Sequence, residues 1–252
     1  LSHNDKVLVL ADAYTRYFSA ANGFSTNAHI SLGNKKFGSL SSFTFSKFGD
    51  LRQGSNRSDF TQGFGERNWY VTQINGADTM MNNNDPNLQL GSGYQQFDVL
   101  QKFVYKQNEN VHHTLNLQLS NSGNIDRYDR LTQMENNQAK YAEWYYGPQK
   151  RSFISSKLSF QSKKLFDRAD IIFAYQKIDE SRNKRKFGSN LLNIQDENLN
   201  IFSVNSDFFK RIDRQKSIAY GLELTNNKLD SDGFESLVNS NNLNKSISRY
   251  PN

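Results

Sequence analysis

The sequence predicts an all-β fold: an antiparallel, up-and-down transmembrane β-barrel, present here as an incomplete segment of about nine strands. Three observations predict it. Strand-like runs with a side-chain period of two recur along the chain, short polar connections alternate with long ones, and aromatic residues gather near both ends of the strands. The short connections are predicted to be periplasmic turns and the long ones extracellular loops, as in outer-membrane barrels.

Residues 113–122 show the alternation most clearly. The apolar positions of this stretch are Leu115, Leu117 and Leu119. The polar positions are Thr114, Asn116, Gln118 and Ser120. Since successive side chains of a strand point to opposite faces, the strand has one apolar and one polar face. A soluble β-sandwich would bury the leucines in a core, whereas a membrane barrel would turn them towards lipid.

Nine runs of this kind follow one another along the chain. The predicted strands cover residues 6–18, 25–33, 37–48, 94–105, 111–121, 151–161, 169–179, 198–210 and 216–228. The clearest apolar faces comprise Phe97, Val99, Phe103 and Tyr105; Ile171, Phe173 and Tyr175; Phe202, Val204 and Phe208; and Ile218, Tyr220, Leu222 and Leu224. The positions opposite them are polar or small, which predicts a sheet with one apolar and one polar surface.

The connections between these strands differ in length at the two ends of the predicted sheet. The short ones cover residues 33–36, 106–110, 162–168 and 211–215, and the long ones cover 49–93, 122–150, 180–197 and the region after 229. All three prolines and both tryptophans fall in the long connections. Proline cannot donate to an interior ladder, so its placement favours the strand assignment.

Aromatic residues form two predicted belts. Near the short turns lie Phe37, Phe103, Tyr105, Phe160, Phe208 and Phe209, and nearer the long loops lie Tyr17, Phe18, Phe48, Tyr94, Phe173 and Tyr175. Aromatic belts at both ends of the strands are typical of the two lipid interfaces of an outer-membrane barrel. A soluble sandwich core is the alternative interpretation, but it does not account for the one-sided loop lengths.

The composition fits a sheet with a polar, water-filled side. Only 36% of the residues are hydrophobic, against about 45–50% in ordinary globular domains. An aromatic content of 13% argues against disorder, since disordered chains are poor in aromatic residues. The lumen face of a large barrel is polar, which accounts for the shortage of apolar residues.

Several classes of protein are disfavoured. The chain has no cysteine, so thiol chemistry and disulfides are excluded. A net charge of +6 comes from scattered Lys and Arg without a basic stripe, which argues against nucleic acid as a partner. The sequence contains no run of 18 apolar residues, so no transmembrane helix is predicted. The N-terminal residues do not have the pattern of a signal peptide. If the protein is exported, we expect this chain to be an internal piece.

Five stretches give the chain a resemblance to a known family. They are Phe43-Thr-Phe-Ser-Lys-Phe-Gly-Asp-Leu-Arg52, Ser92-Gly-Tyr-Gln-Gln-Phe-Asp-Val-Leu-Gln-Lys-Phe103, Arg127-Tyr-Asp-Arg-Leu131, Ala142-Glu-Trp-Tyr-Tyr-Gly-Pro-Gln-Lys-Arg151 and Arg185-Lys-Phe-Gly-Ser-Asn190. In these stretches the chain resembles the barrel of TonB-dependent outer-membrane receptors of the Bacteroidetes type. Residues 1–252 are accordingly interpreted as part of such a barrel.

The resemblance implies a location, partners and a transport function. It implies the outer membrane of a Gram-negative bacterium, contact with outer-membrane lipid, a plug domain inside a barrel of about 22 strands, and coupling to the TonB–ExbB–ExbD complex through an N-terminal region. The sequence departs from the full pattern, because we find no TonB box, plug domain or closing C-terminal strand. We therefore expect a fragment that does not transport alone.

The candidate ligand-binding residues lie in one predicted extracellular loop. They are Arg127, Tyr128, Arg130, Trp144, Tyr145 and Tyr146. Aromatic rings and guanidinium groups can stack on and pair with an anionic chelate. The alternative is that they anchor the lipid interface and brace the loop. No catalytic set, cofactor motif or metal site is found, and adjacent His112 and His113 point to opposite faces of their strand, so they cannot chelate one metal.

The predicted function is TonB-dependent uptake of a scarce nutrient, an iron chelate such as a ferric siderophore, or haem. The alternatives are a receptor for glycan or peptide uptake, and a barrel or adhesin that does not transport. An outer-membrane enzyme would need a small closed barrel with catalytic residues at its rim, and the sequence gives neither, so we predict that the protein is not an enzyme.

Overall fold

The computed structural model describes residues 6–56, 63–162, 164–238 and 242–250. These residues form β-strands almost throughout, with one turn of α-helix, α1 (Tyr128–Leu131), and a 3₁₀ turn at Ser19–Ala21. The strands are β1 (Leu8–Phe18), β2 (Gly23–Gly33), β3 (Phe37–Phe48), β4 (Leu51–Arg52), β5 (Trp69–Ile74), β6 (Ala77–Asn82), β7 (Leu88–Gln89), β8 (Tyr94–Asn108), β9 (Val111–Ser122), β10 (Ile125–Asp126), β11 (Met134–Glu135), β12 (Gln138–Ala139), β13 (Tyr141–Tyr146), β14 (Lys150–Gln161), β15 (Arg168–Lys186), β16 (Leu191–Arg211), β17 (Ser217–Leu237) and β18 (Leu243–Ser246).

Twelve of the strands form one antiparallel sheet. Its order is β1-β2-β3-β8-β9-β14-β15-β16-β17-β18, and β10 and β13 join it at the upper end of β15. Strands that follow one another along the meander are neighbours in space, so the topology is up-and-down. All nine strands predicted from the alternation are present, which confirms the antiparallel all-β class.

The ends of the sheet differ as the sequence predicts. At the lower end, residues 34–36, 109–110 and 212–216 make short turns, and only a few residues separate the end of β14 from the start of β15. At the upper end, residues 49–93 and 123–149 make long connections that contain short strand pairs of their own, β4–β7, β5–β6 and β11–β12. The link between β1 and β2 is short although it lies at the upper end, so the alternation of loop lengths is not strict.

The prediction of a long loop at residues 180–197 is wrong. β15 and β16 continue in unbroken register to Arg185 and Leu192, and a tight turn at residues 187–190 joins them. β17 likewise runs on to Leu237. The extension was missed because residues 180–186 are polar on both faces, whereas backbone pairing between strands does not require an apolar face.

The register collects the apolar side chains on one surface of the sheet, which we call the apolar face. Leu119, Val99 and Phe43 form one row across β9, β8 and β3, and Phe173, Val204 and Leu224 form another across β15, β16 and β17. These side chains are exposed to an unusual extent, with Phe173 at 50% and Leu224 at 58%. Among the described residues no large side chain is fully buried, so this sheet lacks an ordinary core.

The apolar face is a band with sharp limits. On β16 the side chains of this face are apolar or small from Phe202 to Phe208, and the band ends at Asn200 above and Lys210 below. The upper limit is shared by three neighbouring strands, because Lys177, Asn200 and Lys228 lie in one row. With a rise of about 3.4 Å per residue and a tilt of about 40°, the stretch from Phe202 to Phe208 is about 16 Å high, and its polar limits, Asn200 and Lys210, are about 26 Å apart.

Aromatic rings mark the lower edge of the band. Phe37 stacks on Tyr105 at 4.8 Å between ring centroids, and Phe208 stacks on Tyr220 at 5.1 Å. At the upper end the register corrects the predicted belt, since Phe18, Phe48 and Tyr94 lie on the opposite face. These three rings lie on the opposite face because side chains alternate along a strand, whereas the belt was predicted only from distance to the strand ends.

The polar face, defined by Thr114, Asn116 and Gln118, is tied together by side-chain hydrogen bonds. Arg151 donates to the side-chain oxygens of Gln118 and Gln176 on the two flanking strands. Ser159 and Lys157 on β14 both bind Asp170 on β15. Charged and amide groups thus satisfy one another within this surface.

The two edges of the sheet are open in the described part of the chain. β1 is the first strand, and β17 is paired on its outer side only near its upper end, where Gly233–Ser236 meet β18. None of the described helices has the length and apolar character needed to cross a membrane.

Candidate ligand-binding surface

The connection between β9 and β14 places the predicted site residues above the apolar band. β10 pairs with β13, and β13 in turn pairs with the upper end of β15. The backbone N–H of Arg127 donates to the Trp144 carbonyl at 2.8 Å, which holds α1 against β13. The loop is therefore a folded structure built on the extended part of β15.

Arg127, Trp144 and Tyr146 form a compact cluster. The guanidinium carbon of Arg127 lies 4.8 Å from the Trp144 ring centroid, and its Nη1 donates to the Tyr146 hydroxyl at 2.5 Å. Its Nε and Nη2 both donate to Asp129 at 2.7 Å, and these bonds raise the pKa of Arg127. Because each of its three guanidinium nitrogens has a partner within the loop, Arg127 braces the loop.

The other three predicted residues point elsewhere. Tyr145 lies on the opposite face of β13 from Trp144 and Tyr146, because side chains alternate along a strand. Tyr128 faces Arg67 of the neighbouring loop, whose guanidinium carbon is 5.2 Å from its ring centroid. Arg130 is half-buried, and its Nε lies 3.6 Å from a carboxylate oxygen of Asp129. The structure therefore brings together half of the predicted set.

Two cations missed by the sequence reasoning lie beside the aromatic pair. The register places Arg182 opposite Tyr146 and Lys184 opposite Trp144. The guanidinium carbon of Arg182 is 5.4 Å from the Tyr146 ring centroid, and its buried Nε has no hydrogen-bond partner among the described residues. Lys184 is exposed. We call Trp144, Tyr146, Arg182 and Lys184 the aromatic–cationic surface.

A second missed arginine joins two loops. Arg67 is only 5% exposed and lies between the rings of Trp69 and Tyr128. Its Nε and Nη1 have no hydrogen-bond partner in the described part of the chain, and burial lowers its pKa although nearby Tyr128, Asp50 and Asp126 favour the charged form. It fixes the 49–93 connection against α1.

A buried ion pair holds a third contact between the loops. Arg185 on β15 donates through two nitrogens to Asp78 on β6 and through Nε to Glu143 on β13. The side chains of Arg185 and Asp78 are each 2% exposed. Burial alone would raise the pKa of Asp78, but hydrogen bonds from Arg185 and the Gly188 N–H outweigh it, so the pKa is lowered.

The geometry supports recognition of an anion or a planar ring. Arg182 and Lys184 provide charge, and Trp144 and Tyr146 provide faces on which a ring or a cationic group can stack. The loops beneath are held by Arg67, Arg127 and Arg185, so this surface is formed before any ligand arrives. Among the described residues no group of three or more His, Asp or Glu side chains is placed to hold a metal ion.

Comparison with known proteins adds no family to this description. No protein-family model matches the chain, and no curated protein matches it at a significant level.

Proposed function

We propose that this chain is part of the barrel of an outer-membrane receptor that takes up a scarce nutrient, an iron chelate or haem, with energy supplied by the TonB–ExbB–ExbD complex. The observation that supports the proposal most directly is the apolar band. A surface of Phe, Leu and Val side chains whose polar limits lie about 26 Å apart is comparable with the lipid-facing band of outer-membrane barrels, which is about 25 Å tall.

The absence of a large buried side chain from the described residues supports the same placement. In water, an exposed apolar surface of this extent would drive association. In a bilayer it would contact acyl chains, and the polar row of Lys177, Asn200 and Lys228 would lie at the headgroups.

The one-sided loops support capture of a ligand from outside. The two long connections are at the same end of the sheet, and the aromatic–cationic surface lies among them on the polar-face side of β15. Ferric chelates and haem carry carboxylate or other anionic groups and planar rings, which these side chains can pair with and stack on. Tight capture releases slowly, so uptake needs an external energy source to free the ligand.

A gene deletion in the source bacterium tests the transport proposal. The deleted strain should fail to grow on haem or on one class of ferric chelate as sole iron source. The intact parent protein should bind that iron source when TonB is absent but accumulate it only with TonB and a proton gradient. Normal growth on every iron source, with loss of growth on a glycan or peptide, would overturn the iron proposal and leave a receptor for those nutrients.

Charge removal tests the proposed ligand surface. Arg182→Gln together with Lys184→Gln should weaken capture of the anionic ligand, because both cations are lost while the aromatic rings remain. The matched control is Lys177→Gln, which removes a cation of β15 on the other face of the strand. Equal affinities of the double variant and the control would show that this surface does not bind the ligand.

A further inference from the structure

A trough lies in the lower part of the apolar face, over β2, β3, β8 and β9. Its floor is Ser39, whose small side chain lies in one row between Leu32 and Phe103. The stacked rings of Phe37 and Tyr105 close its lower end. The cavity has a volume of about 410 Å³, which lies in the range of small-molecule sites.

The polar atoms of the trough floor are already paired. Ser41 donates to the side-chain oxygen of Gln101 at 2.5 Å, and the Gln101 amide donates to the Ser39 hydroxyl at 2.9 Å. A ligand that covers these three side chains therefore does not need to form hydrogen bonds with them. An apolar occupant can cover them without leaving a buried polar group unsatisfied.

The lower end of the trough is positively charged. Val7, Asn34 and Phe37 line the cavity, and Lys6, Lys35 and Lys36 are their neighbours in the chain. Lys106 is held in the same region, since its backbone N–H donates to the Lys36 carbonyl at 2.7 Å. The acidic residue of the adjoining turn, Glu109, is engaged by Lys106 at 2.6 Å.

We infer that this trough binds one acyl chain of an anionic glycerophospholipid whose phosphate lies against Lys35 and Lys36. The apolar walls accept the chain, the aromatic lid marks the depth of the headgroup, and the lysines attract its negative charge. The cavity volume of about 410 Å³ leaves room for part of an acyl chain. The inference rests on the membrane placement in the proposed function.

Lysine at a membrane interface discriminates between lipids by charge. Each lysine near the surface contributes a preference of about fivefold for an anionic over a neutral headgroup. A site with two lysines and a closed apolar trough should retain phosphatidylglycerol when the bulk lipid is removed. The remainder of the apolar face should exchange its lipids freely.

Native mass spectrometry of the detergent-solubilised chain tests this site. The protein is incubated with equal amounts of phosphatidylglycerol and phosphatidylethanolamine and then delipidated in steps. We expect one phosphatidylglycerol to remain bound to the wild type. Ser39→Phe with Ser41→Leu should abolish retention by filling the trough, and Lys35→Gln with Lys36→Gln should lower the preference for phosphatidylglycerol at least fivefold while leaving the trough open.

The matched control changes two serines of the same apolar face outside the trough, Ser152→Leu with Ser156→Phe on β14. Retention by this variant should equal that of the wild type. Equal loss in both serine variants, equal retention in both, or a protein dimer bound in place of lipid would overturn the inference. A chain that needs detergent but shows no such preference contradicts this site alone, whereas a chain that is monodisperse without detergent contradicts the proposed membrane placement as well.

Discussion

Arg185 on β15 and Asp78 on the β5–β6 hairpin are 107 positions apart in the chain, yet two hydrogen bonds of 2.7 and 2.9 Å join them. Both side chains are 2% exposed, and the guanidinium group also donates to Glu143 and to the Ser189 carbonyl. Arg185, a residue of the sheet, therefore holds elements from two separate loops.

Removing one partner of the pair should release the hairpin. Asp78→Ala leaves a buried guanidinium group without its main partner, which costs about 3–5 kcal/mol. We expect faster hydrogen exchange in residues 69–82 and 141–146, with the long strands of the sheet unchanged. The control is Lys177→Ala, which breaks an exposed pair with Asp179 worth less than about 1 kcal/mol. Equal exchange in both variants would contradict the structural role given to Arg185.

The same contact should respond to acid with a definite sign. The pKa of Asp78 is lowered in the folded loop from its ordinary value of 3.8, so its stabilising contribution is present above that value and is lost as the pH falls through the lower folded pKa. The protection of the hairpin amides from hydrogen exchange, taken relative to the intrinsic rate at each pH, should be constant from pH 7 to pH 5 and fall only below about pH 3.8. Asp78→Asn should remove this acid step, and an unchanged profile in that variant would assign the step to another group.

Arginine substitutions on β9 test the assignment of the two faces. Leu117→Arg places a charge on the apolar face near mid-strand and should destabilise the intact barrel in lipid by about 2–4 kcal/mol. Asn116→Arg places the same side chain on the polar face and should be much milder. Unfolding with denaturant in lipid vesicles measures both. If the two variants are equally harmful, the apolar face does not contact lipid.

Single cysteines test which end of the sheet is outside the cell, since the sequence has none of its own. A thiol reagent that cannot cross the membrane should label residues 84 and 135 on whole cells. Cysteines at residues 35 and 109, in the short turns, should be labelled only after the cells are broken. Labelling of the short turns on intact cells would reverse the proposed orientation.

Local sequence patterns predicted most of the sheet, because apolar and polar side chains alternate with the period of the strand. The patterns failed where this contrast between the two faces ends. Residues 180–186 are polar on both faces, so their pairing has no signature in composition. Tyr145 was grouped with Trp144 and Tyr146 by proximity in the chain, although the same period of two places it on the other face. The contact of Arg185 with Asp78 has no local pattern at all and depends on how a distant loop folds.

The extension of β15 and β16 beyond the apolar band lowers the entropic cost of binding a ligand at the loops. From Lys177 to Lys186 the strands rise about 20 Å further, and both long loops are fastened to that part by Arg185, Arg127 and the pairing of β13. The conformational entropy lost in ordering these loops is therefore already lost when the chain folds. A ligand that docks there has little left to organise, so a modest number of contacts can give tight binding.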